Sequence, residues 1–220
     1  MFEIIISGIF GYLMGSIFIS YYWAKLKGID LTIEGTGQLG ASNAGRILGW
    51  PALIILGLFD IIKATITLMI LYCFFNYLFP SAYYEVLLIT GSFGIVLGHI
   101  KSLWIWLEKH DWHGGKGGAP FGGILLFLSV ESFIILFIVL MVFLQLVKRF
   151  ILKRKFHENF STNAIVVLFS PIVILWFTGN IMNFILVLLI IGIIIFFERE
   201  KIVCLLTITS SKISKKALDK

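Results

Sequence analysis

Apolar segments recur along this chain from Phe2 to Phe197, and no polar stretch between them is long enough to form a soluble domain. Of its 220 residues, 59% are hydrophobic and only 14% are charged, whereas an average soluble domain has about 25% charged residues. Too little polar surface remains to cover such a chain in water, so the composition predicts an all-α, polytopic membrane helix bundle.

The candidate spans are 3–24, 51–79, 84–100, 118–147, 160–177 and 181–197, and the basic clusters are 25–46, 101–116, 148–155 and 199–220. Six simple passes would place the third cluster outside, although Lys and Arg accumulate in cytoplasmic loops. Polar residues at 129–132 interrupt the fourth stretch, and a turn there gives about seven passes. With seven, every basic loop residue lies inside, the N-terminus lies outside and the C-terminus is cytoplasmic.

We expect residues 1–200 to form a single membrane domain and residues 201–220 a short basic cytoplasmic tail. The first apolar stretch lacks a basic start and a small-residue cleavage site, so it is predicted to be a retained span and not a signal peptide. Cys73 and Cys204 are predicted near opposite membrane faces, which makes a disulfide between them unexpected. The net charge of +6 is typical of cytoplasmic loops, and no nucleic-acid partner is expected.

Two short patterns within the spans predict helix packing. Gly11 and Gly15 form a GxxxG pattern, which lets a neighbouring helix approach closely. Asp60 and Lys63 lie at i and i+3, so they can neutralise each other inside the membrane, either as a structural pair or as part of a site. The tryptophan-rich segment 101–113 is predicted to lie along the inner interface.

Two predicted cytoplasmic loops are unusually rich in glycine. Residues 35–46 combine glycines with hydroxyl and amide side chains and Arg46, a composition that suits a phosphate, although the spacing is not that of a Walker loop. Residues 114–118 place four glycines around Lys116, which favours an anion site over a plain glycine hinge. Since both loops are predicted on the same face, one phosphate-bearing substrate could be held between them.

Other chemistry has weaker support in the sequence. His99, at the inner end of the third span, is either a general acid or base or a hydrogen-bonding histidine. His110, Asp111 and His113 have neither the spacing of a structural zinc site nor that of a helix-borne catalytic one. The chain contains no GxSxG elbow, and neither cysteine has a histidine close in sequence, so covalent catalysis is unsupported.

One set of motifs runs through nearly the whole chain: Gly15-Ser16-Ile17, residues 24–30, residues 35–46, Asp60 with Lys63, Gly98-His99 and Gly115-Lys116-Gly117. Together these motifs resemble the bacterial acyl-phosphate-dependent glycerol-3-phosphate acyltransferases. The resemblance implies an enzyme of the bacterial inner membrane whose site faces the cytoplasm. It would move a fatty acyl group from acyl phosphate to the 1-hydroxyl of glycerol 3-phosphate, giving lysophosphatidic acid and phosphate for phospholipid synthesis.

The same resemblance implies the roles of individual residues. His99 and Lys116 would be catalytic, and the residues implied to bind substrate phosphate are Thr36, Gly37, Asn43, Arg46, Gly114, Gly115, Lys116 and Gly117. The partners implied are the two substrates and membrane lipid, with the acyl chain between helices and open to lipid. No metal, no cofactor and no particular oligomeric state are implied.

The chain departs from the family pattern at several positions. Gln38 replaces an asparagine, Thr36 a serine and His113 a lysine, and Ala119-Pro120 stands where an alanine-threonine pair is usual. The connection that begins at Ile100-Lys101-Ser102 is longer than in the family. In the third motif Glu198 replaces a histidine and Lys201 an asparagine, so the possible remnants of that motif are Glu198, Arg199 and Lys201.

Two alternatives to the acyltransferase therefore stay open. The altered third motif suits a divergent, non-catalytic membrane protein that keeps a pocket for a phospholipid or phosphometabolite. A small transporter is the other alternative. It would normally show polar residues along several spans or an inverted repeat, and beyond Asp60 and Lys63 neither is seen in the sequence.

Overall fold

The structure is a computed structural model that describes residues 2–78, 84–139, 163–197 and 199, with the backbone alone for 163–169. These residues form helices and no strands. The helices are α1 (Phe2–Gly15), α2 (Ile19–Leu26), α3 (Ala41–Leu48), α4 (Trp50–Leu78), α5 (Tyr84–Ile100), α6 (Leu103–Lys109), α7 (Gly118–Leu128), α8 (Val130–Val139), α9 (Asn163–Thr178) and α10 (Ile181–Phe197). Predicted features outside the described residues are Glu198, Lys201, Cys204, the basic cluster 148–155 and the tail 201–220.

Three helical stretches are long and apolar enough to cross a membrane, namely Phe2–Leu26, Trp50–Leu78 and Tyr84–Lys109. The helices α7, α8 and α10 are apolar but shorter. In α4 the polar side chains of Asp60, Lys63 and Thr67 are buried, while many of its isoleucines and leucines are exposed. Polar groups inside and apolar groups outside is the arrangement that a lipid environment favours.

The predicted spans agree with the helices in part. The predictions 51–79 and 84–100 match α4 and α5 within one residue at each end. The predicted first span, 3–24, lies within the stretch Phe2–Leu26, and its helix is interrupted between α1 and α2 at residues 16–18. The interruption has a physical cause in the contacts of residues 15–17, which are described with the site below.

The fourth apolar stretch turns at Ser129, as its polar interruption predicts. Ser129 Oγ accepts a hydrogen bond from the Ser132 N–H at 3.1 Å and so caps α8. A Cβ on Gly122 would lie 3.6 Å from the ring of Phe133. In a continuous helix these two residues would be about 16 Å apart, so the chain must turn for α8 to pack against α7.

Glycine brings α1 and α5 into backbone contact. A Cβ on Gly11 would lie 2.2 Å from the Gly91 carbonyl oxygen, and one on Gly94 would lie 2.2 Å from that of Gly8. Ser7 Oγ donates to the Leu87 carbonyl nearer the start of both helices. The paired residues advance together along the two helices, so α1 and α5 run parallel and end on the same side. The close approach predicted from the GxxxG pattern is present.

Alanine at Gly11 or at Gly94 should therefore destabilise the protein, because the added methyl group would meet backbone that cannot rotate away. Overpacking of this kind costs about 1–3 kcal/mol. Thermal unfolding in detergent micelles measures the effect, and we expect a lower melting temperature for both variants.

Gly192 provides the matched control, since it also lies within an apolar helix but a Cβ there would meet no atom within 4 Å. Gly192→Ala should melt at or slightly above the wild-type temperature, because alanine favours helix over glycine. Equal melting temperatures for Gly11→Ala and Gly192→Ala would contradict the backbone contact between α1 and α5.

Candidate active site

The break between α1 and α2 is held by side chains from other helices. Carbonyl groups at a helix end lack partners within the helix. Lys63 Nζ donates to the carbonyl oxygens of Gly15 at 3.2 Å and Ile17 at 2.6 Å. Ser102 Oγ donates to the carbonyl oxygen of Ser16 at 2.6 Å. The break is therefore stable because its polar backbone is satisfied from α4 and from the segment after α5.

Lys63 also joins Asp60 and His99 in one buried cluster. Its ammonium lies 2.9 Å from Asp60 Oδ1, and both side chains are only 5% exposed. The neutralisation predicted from their i, i+3 spacing is thus confirmed. The same ammonium lies 3.4 Å from Nδ1 of the buried His99. The centre of the Phe18 ring lies 4.9 Å from the Lys63 ammonium and 4.6 Å from the centre of the His99 ring.

The position of Lys63 favours one tautomer of His99. An ammonium group has only donors, so a lone pair on Nδ1 is its favourable partner, and this contact favours the neutral ring with its proton on Nε2. A Cβ on Gly115 would lie 2.3 Å from Nε2, which only glycine avoids. His99 therefore presents an N–H donor to the second glycine-rich loop.

The two glycine-rich loops are in direct contact. The Leu39 N–H donates to the Gly114 carbonyl at 2.9 Å, and the Gly115 N–H donates to the His99 carbonyl at 2.7 Å. A Cβ on Gly40 would lie 3.6 Å from the Gly115 Cα. Residues predicted on one membrane face from charge alone are thus adjacent in the structure.

Asn43 organises the first of these loops. Its Oδ1 accepts from the Thr36 N–H at 2.8 Å, and its Nδ2 donates to the carbonyls of Glu34 at 3.0 Å and Gln38 at 2.9 Å. Gly35 has a φ of +63°, and a Cβ there would lie 2.3 Å from the same Oδ1. Both donors of this buried amide are therefore engaged within the loop, which gives Asn43 a positioning role.

Polar contacts attach α6, in the tryptophan-rich segment, to Asp30 ahead of the first loop and to α2. Lys109 Nζ pairs with Asp30, and the Glu108 carboxylate accepts from the Tyr21 hydroxyl at 2.7 Å. The Lys109 ammonium, together with hydrogen bonds from Thr32, holds the pKa of Asp30 at about 2. The stabilisation from this lowered pKa is complete above pH 4 or so and is lost only as the pH falls towards 2.

A first cavity of about 370 Å³ extends from the glycine loops between α4, α7 and α8. Its polar end includes Asn43, Asp60, His99 and Lys116. Its apolar walls are Leu53, Ile61, Phe121, Leu125, Phe133, Leu136 and Phe137, with Gly57, Gly118 and Gly122 leaving space between them. This cavity fits a ligand that has an apolar chain and a polar head.

A second cavity of about 260 Å³ adjoins the first and is more polar. Gln38 and Lys116 line both cavities. The other residues around the second cavity are Gly37, Ile100, Lys101, Trp112, His113, Gly114, Gly115, Ile194 and Phe197. Lys116 therefore stands where an apolar compartment and a polar compartment meet.

The residues predicted for the site divide into two groups. Those that line a cavity are Gly37, Asn43, His99, Gly114, Gly115 and Lys116, and Gly117 immediately precedes α7 with a φ of +81°. Thr36 and Arg46 are exposed and line neither cavity, and the Arg199 guanidinium lies 4.4 Å from the centre of the Phe196 ring. Site residues that sequence reasoning missed include Lys101, Trp112 and Phe133, because no motif distinguishes them.

A family model described as glycerol-3-phosphate acyltransferase matches residues 5–207. The chain is similar to the glycerol-3-phosphate acyltransferases of Bacillus subtilis strain 168, with 36% identity over 64% of this chain and 66% of that one, and of Chlorobaculum tepidum, with 34% identity over 55% and 52%. The matches thus span about half to two thirds of these relatives. The crystal structure of PlsY, an integral membrane glycerol 3-phosphate acyltransferase, in its glycerol 3-phosphate form has a TM-score of 0.71 at 26% identity over 93% of this chain and 92% of that one. Its lysophosphatidic acid form has a TM-score of 0.70.

Methionine in place of Lys63 should destabilise the protein strongly, because it leaves the Asp60 charge buried and two carbonyls without donors. Removing one partner of a buried ion pair costs about 3–5 kcal/mol. Thermal unfolding in detergent measures the loss. The double variant Asp60→Asn with Lys63→Met should recover part of it, since no unpaired charge remains.

Lys27→Met is the matched control, because Lys27 is exposed and stacks on Trp23. Its melting temperature should change little. If Lys63→Met and Lys27→Met both had the wild-type melting temperature, the buried cluster would not stabilise the break between α1 and α2.

Proposed function

Because the chain belongs to the glycerol-3-phosphate acyltransferase family, we propose that it transfers a fatty acyl group from acyl phosphate to the 1-hydroxyl of glycerol 3-phosphate. The products are lysophosphatidic acid and inorganic phosphate, and the reaction feeds phospholipid synthesis. The relatives are named glycerol-3-phosphate acyltransferases, and the PlsY structures are described as the glycerol 3-phosphate form and the lysophosphatidic acid form.

The observation that carries this proposal is the meeting of the two cavities at Lys116. Acyl phosphate has a long apolar chain and an anionic head, which suit the first cavity and its polar end. Glycerol 3-phosphate has no apolar part and suits the second cavity. The bond to be broken would then lie at the junction, next to a lysine and two glycine-rich loops.

Acyl transfer from acyl phosphate requires that the protein position the two substrates and stabilise negative charge, and it does not require a nucleophilic side chain. In acyl phosphate the acyl carbon already bears a good leaving group, so the acceptor oxygen can attack it directly. Lys116 would counter the charge of the phosphate, and His99 Nε2–H would donate to oxygen where negative charge develops. The buried Lys63 ammonium, 3.4 Å from Nδ1, favours the tautomer in which Nε2 can donate.

Further residues are assigned by the same proposal. Phosphate would be contacted by backbone groups of four glycines, namely Gly37, Gly114, Gly115 and Gly117. Asn43 would hold the backbone of the first loop in the conformation that this contact needs. Thr36 and Arg46 would bind substrate phosphate at the exposed edge of the first loop. Arg199, with Glu198 and Lys201, would belong to the altered third motif.

We also propose the membrane arrangement of the whole chain. It has about seven passes in the bacterial inner membrane, with the N-terminus outside and the C-terminus and the site on the cytoplasmic side. Residues 1–200 form the membrane domain and 201–220 the tail. The parallel course of α1 and α5 supports this layout, because in it both helices run from outside to inside.

Purified full-length protein in detergent should convert acyl phosphate and radiolabelled glycerol 3-phosphate to lysophosphatidic acid. Lys116→Ala should lower turnover by about 100-fold or more, as expected for loss of a charge-stabilising group. Arg46→Ala should lower it less, because Arg46 lies outside both cavities. Lys27→Ala, which removes an exposed lysine directly after α2, should leave turnover unchanged.

Wild-type rates in both the Lys116 and the Arg46 variant would contradict the phosphate-binding role of the loops. Saturable glycerol 3-phosphate binding by the wild type without any product would instead favour a non-catalytic binding protein.

Leucine in place of Gly122 should restrict the acyl chains that the enzyme accepts. Gly122 lines the first cavity opposite Phe133, and a larger side chain there would fill the space between α7 and α8. We expect KM to rise several-fold for a long-chain acyl phosphate and little for a short-chain one.

Gly192→Leu serves as the control, since Gly192 is exposed and a Cβ there would meet no atom within 4 Å. An unchanged ratio of long-chain to short-chain kcat/KM in Gly122→Leu would show that the acyl chain binds elsewhere.

A further inference from the structure

The two cavities differ in the number of cationic side chains that line them. Of the described residues, Lys116 is the only lysine or arginine that lines the first cavity, whereas Lys101 and Lys116 both line the second. No carboxylate is among the described residues around the second cavity. Both lysines are protonated at neutral pH. The second cavity is therefore suited to a small ligand with two negative charges.

The charges of the two substrates require more than one cation. A phosphate monoester carries a charge of about −1.5 to −2 at pH 7, and each substrate of the proposed reaction bears one phosphate group. Lys116 lies at the junction of the cavities, where the phosphate of the donor is released, so its ammonium is assigned to that group. One ammonium cannot neutralise a second phosphate as well. The phosphate of the acceptor therefore needs another cation, and Lys101 is the one that lines the acceptor side alone.

The ammonium of Lys101 is also left available by the protein itself. Lys63 pairs with Asp60 and Lys109 pairs with Asp30, but no described residue forms an ion pair with Lys101. The Lys101 residue is nevertheless half-buried and lines a cavity, so it is not a fully solvated surface lysine. A cation in such a place is suited to meet an anionic ligand.

The backbone of Lys101 is fixed by hydrogen bonds on both sides. Its N–H donates to the Leu97 carbonyl at 2.8 Å, and its carbonyl accepts from the Tyr12 hydroxyl at 2.9 Å. The next residue is held as well, since Ser102 Oγ donates to the Ser16 carbonyl at 2.6 Å. None of these contacts uses the Lys101 side chain. Its ammonium thus extends from a rigid attachment point, as a binding group should, and a substitution of the side chain leaves the attachment unchanged.

Apolar side chains around the second cavity strengthen any charge contact within it. Ile100, Ile194 and Phe197 line the cavity together with Trp112, whose ring stacks on that of Trp106 with the ring centres 5.5 Å apart. Such groups lower the local dielectric constant, and a lysine then attracts a phosphate more strongly than it would at an open surface.

We propose that Lys101 binds the phosphate of the acceptor, while Lys116 serves the phosphate of the donor. The inference rests on the proposed acyl transfer and adds a residue that orients the acceptor. Lys101 lines only the second cavity and Lys116 lines the junction. With its phosphate on Lys101, glycerol 3-phosphate points its other end, which carries the 1-hydroxyl, towards the junction and the acyl carbon.

Binding of radiolabelled glycerol 3-phosphate to the full-length protein, measured by equilibrium dialysis in detergent without acyl phosphate, tests the assignment. Lys101→Met should raise the Kd by about tenfold or more, as expected for loss of a hydrogen bond to a charged group. Lys101→Arg should stay within about threefold of the wild type, because a guanidinium keeps the charge and the donors.

Turnover gives a second readout that a merely structural role would not move in the same way. In Lys101→Met the KM for glycerol 3-phosphate should rise by about tenfold or more, whereas kcat and the KM for acyl phosphate should change by less than about threefold. This pattern is expected when an interaction is equally strong in the ground state and in the transition state.

Lys27→Met is the matched control, because it removes the same charge from an exposed lysine that lines neither described cavity. It should bind glycerol 3-phosphate as the wild type does. All variants are compared by thermal unfolding, and Lys101→Gln replaces Lys101→Met if the methionine variant does not fold.

Wild-type affinity in Lys101→Met would overturn the proposal. Equal losses of affinity in Lys101→Met and Lys27→Met would also overturn it, since they indicate an effect of net charge, as would a loss confined to kcat. Failure of the proposed acyl transfer is a separate result: the wild type would bind glycerol 3-phosphate and form no product, and a weaker affinity in Lys101→Met would still support Lys101 as the phosphate-binding residue.

Discussion

The buried ammonium of Lys63 is the contact on which the arrangement of the site depends. It satisfies two carbonyls where the first helix breaks, neutralises Asp60 and faces His99. A charged group in a membrane bundle is stable only when such partners surround it. One side chain thus links the path of the backbone between α1 and α2 to the tautomer of the histidine at the polar end of the cavity.

Glycine supplies the second constraint, because it allows backbone to approach backbone. Parallel packing of α1 on α5 places the end of α1 beside His99, and Gly115 leaves room for the imidazole. The hydrogen bond from the Leu39 N–H to Gly114 then joins the two loops. The result is a polar junction with an apolar cavity on one side and a polar cavity on the other, an arrangement that suits the proposed acyl transfer from a lipid-like donor to a small phosphate acceptor.

Much of the fold and part of the site could be predicted from the sequence, and the features that could not be predicted have identifiable physical causes. Charge placement and apolar length located α4, α5 and the turn at Ser129, and the spacing of Asp60 and Lys63 predicted their pairing. The break in the first span could not be predicted, because its carbonyls are satisfied by Lys63 and Ser102, which are distant in the chain. Nor could the role of Asn43, whose partners are backbone atoms of its own loop.

The apolar cavity was the hardest feature to anticipate. In water, hydrophobic periodicity separates the inner face of a helix from the outer face, but lipid-facing residues are as apolar as buried ones. The sequence around Phe133 therefore carries no signal that distinguishes a wall of a cavity from a surface exposed to lipid. The glycine-rich composition located the two loops that the structure brings into contact, and the phosphate-binding roles that the family resemblance gives to Thr36 and Arg46 stay predictions.

The most direct test of the account is a structure of the protein with a non-hydrolysable acyl phosphonate. We predict that the phosphonate lies at the junction between Gln38 and Lys116 and that the alkyl chain runs between α4, α7 and α8. A phosphonate bound away from both glycine-rich loops, or a chain lying on the outer surface of α4 with the cavity unfilled, would contradict it.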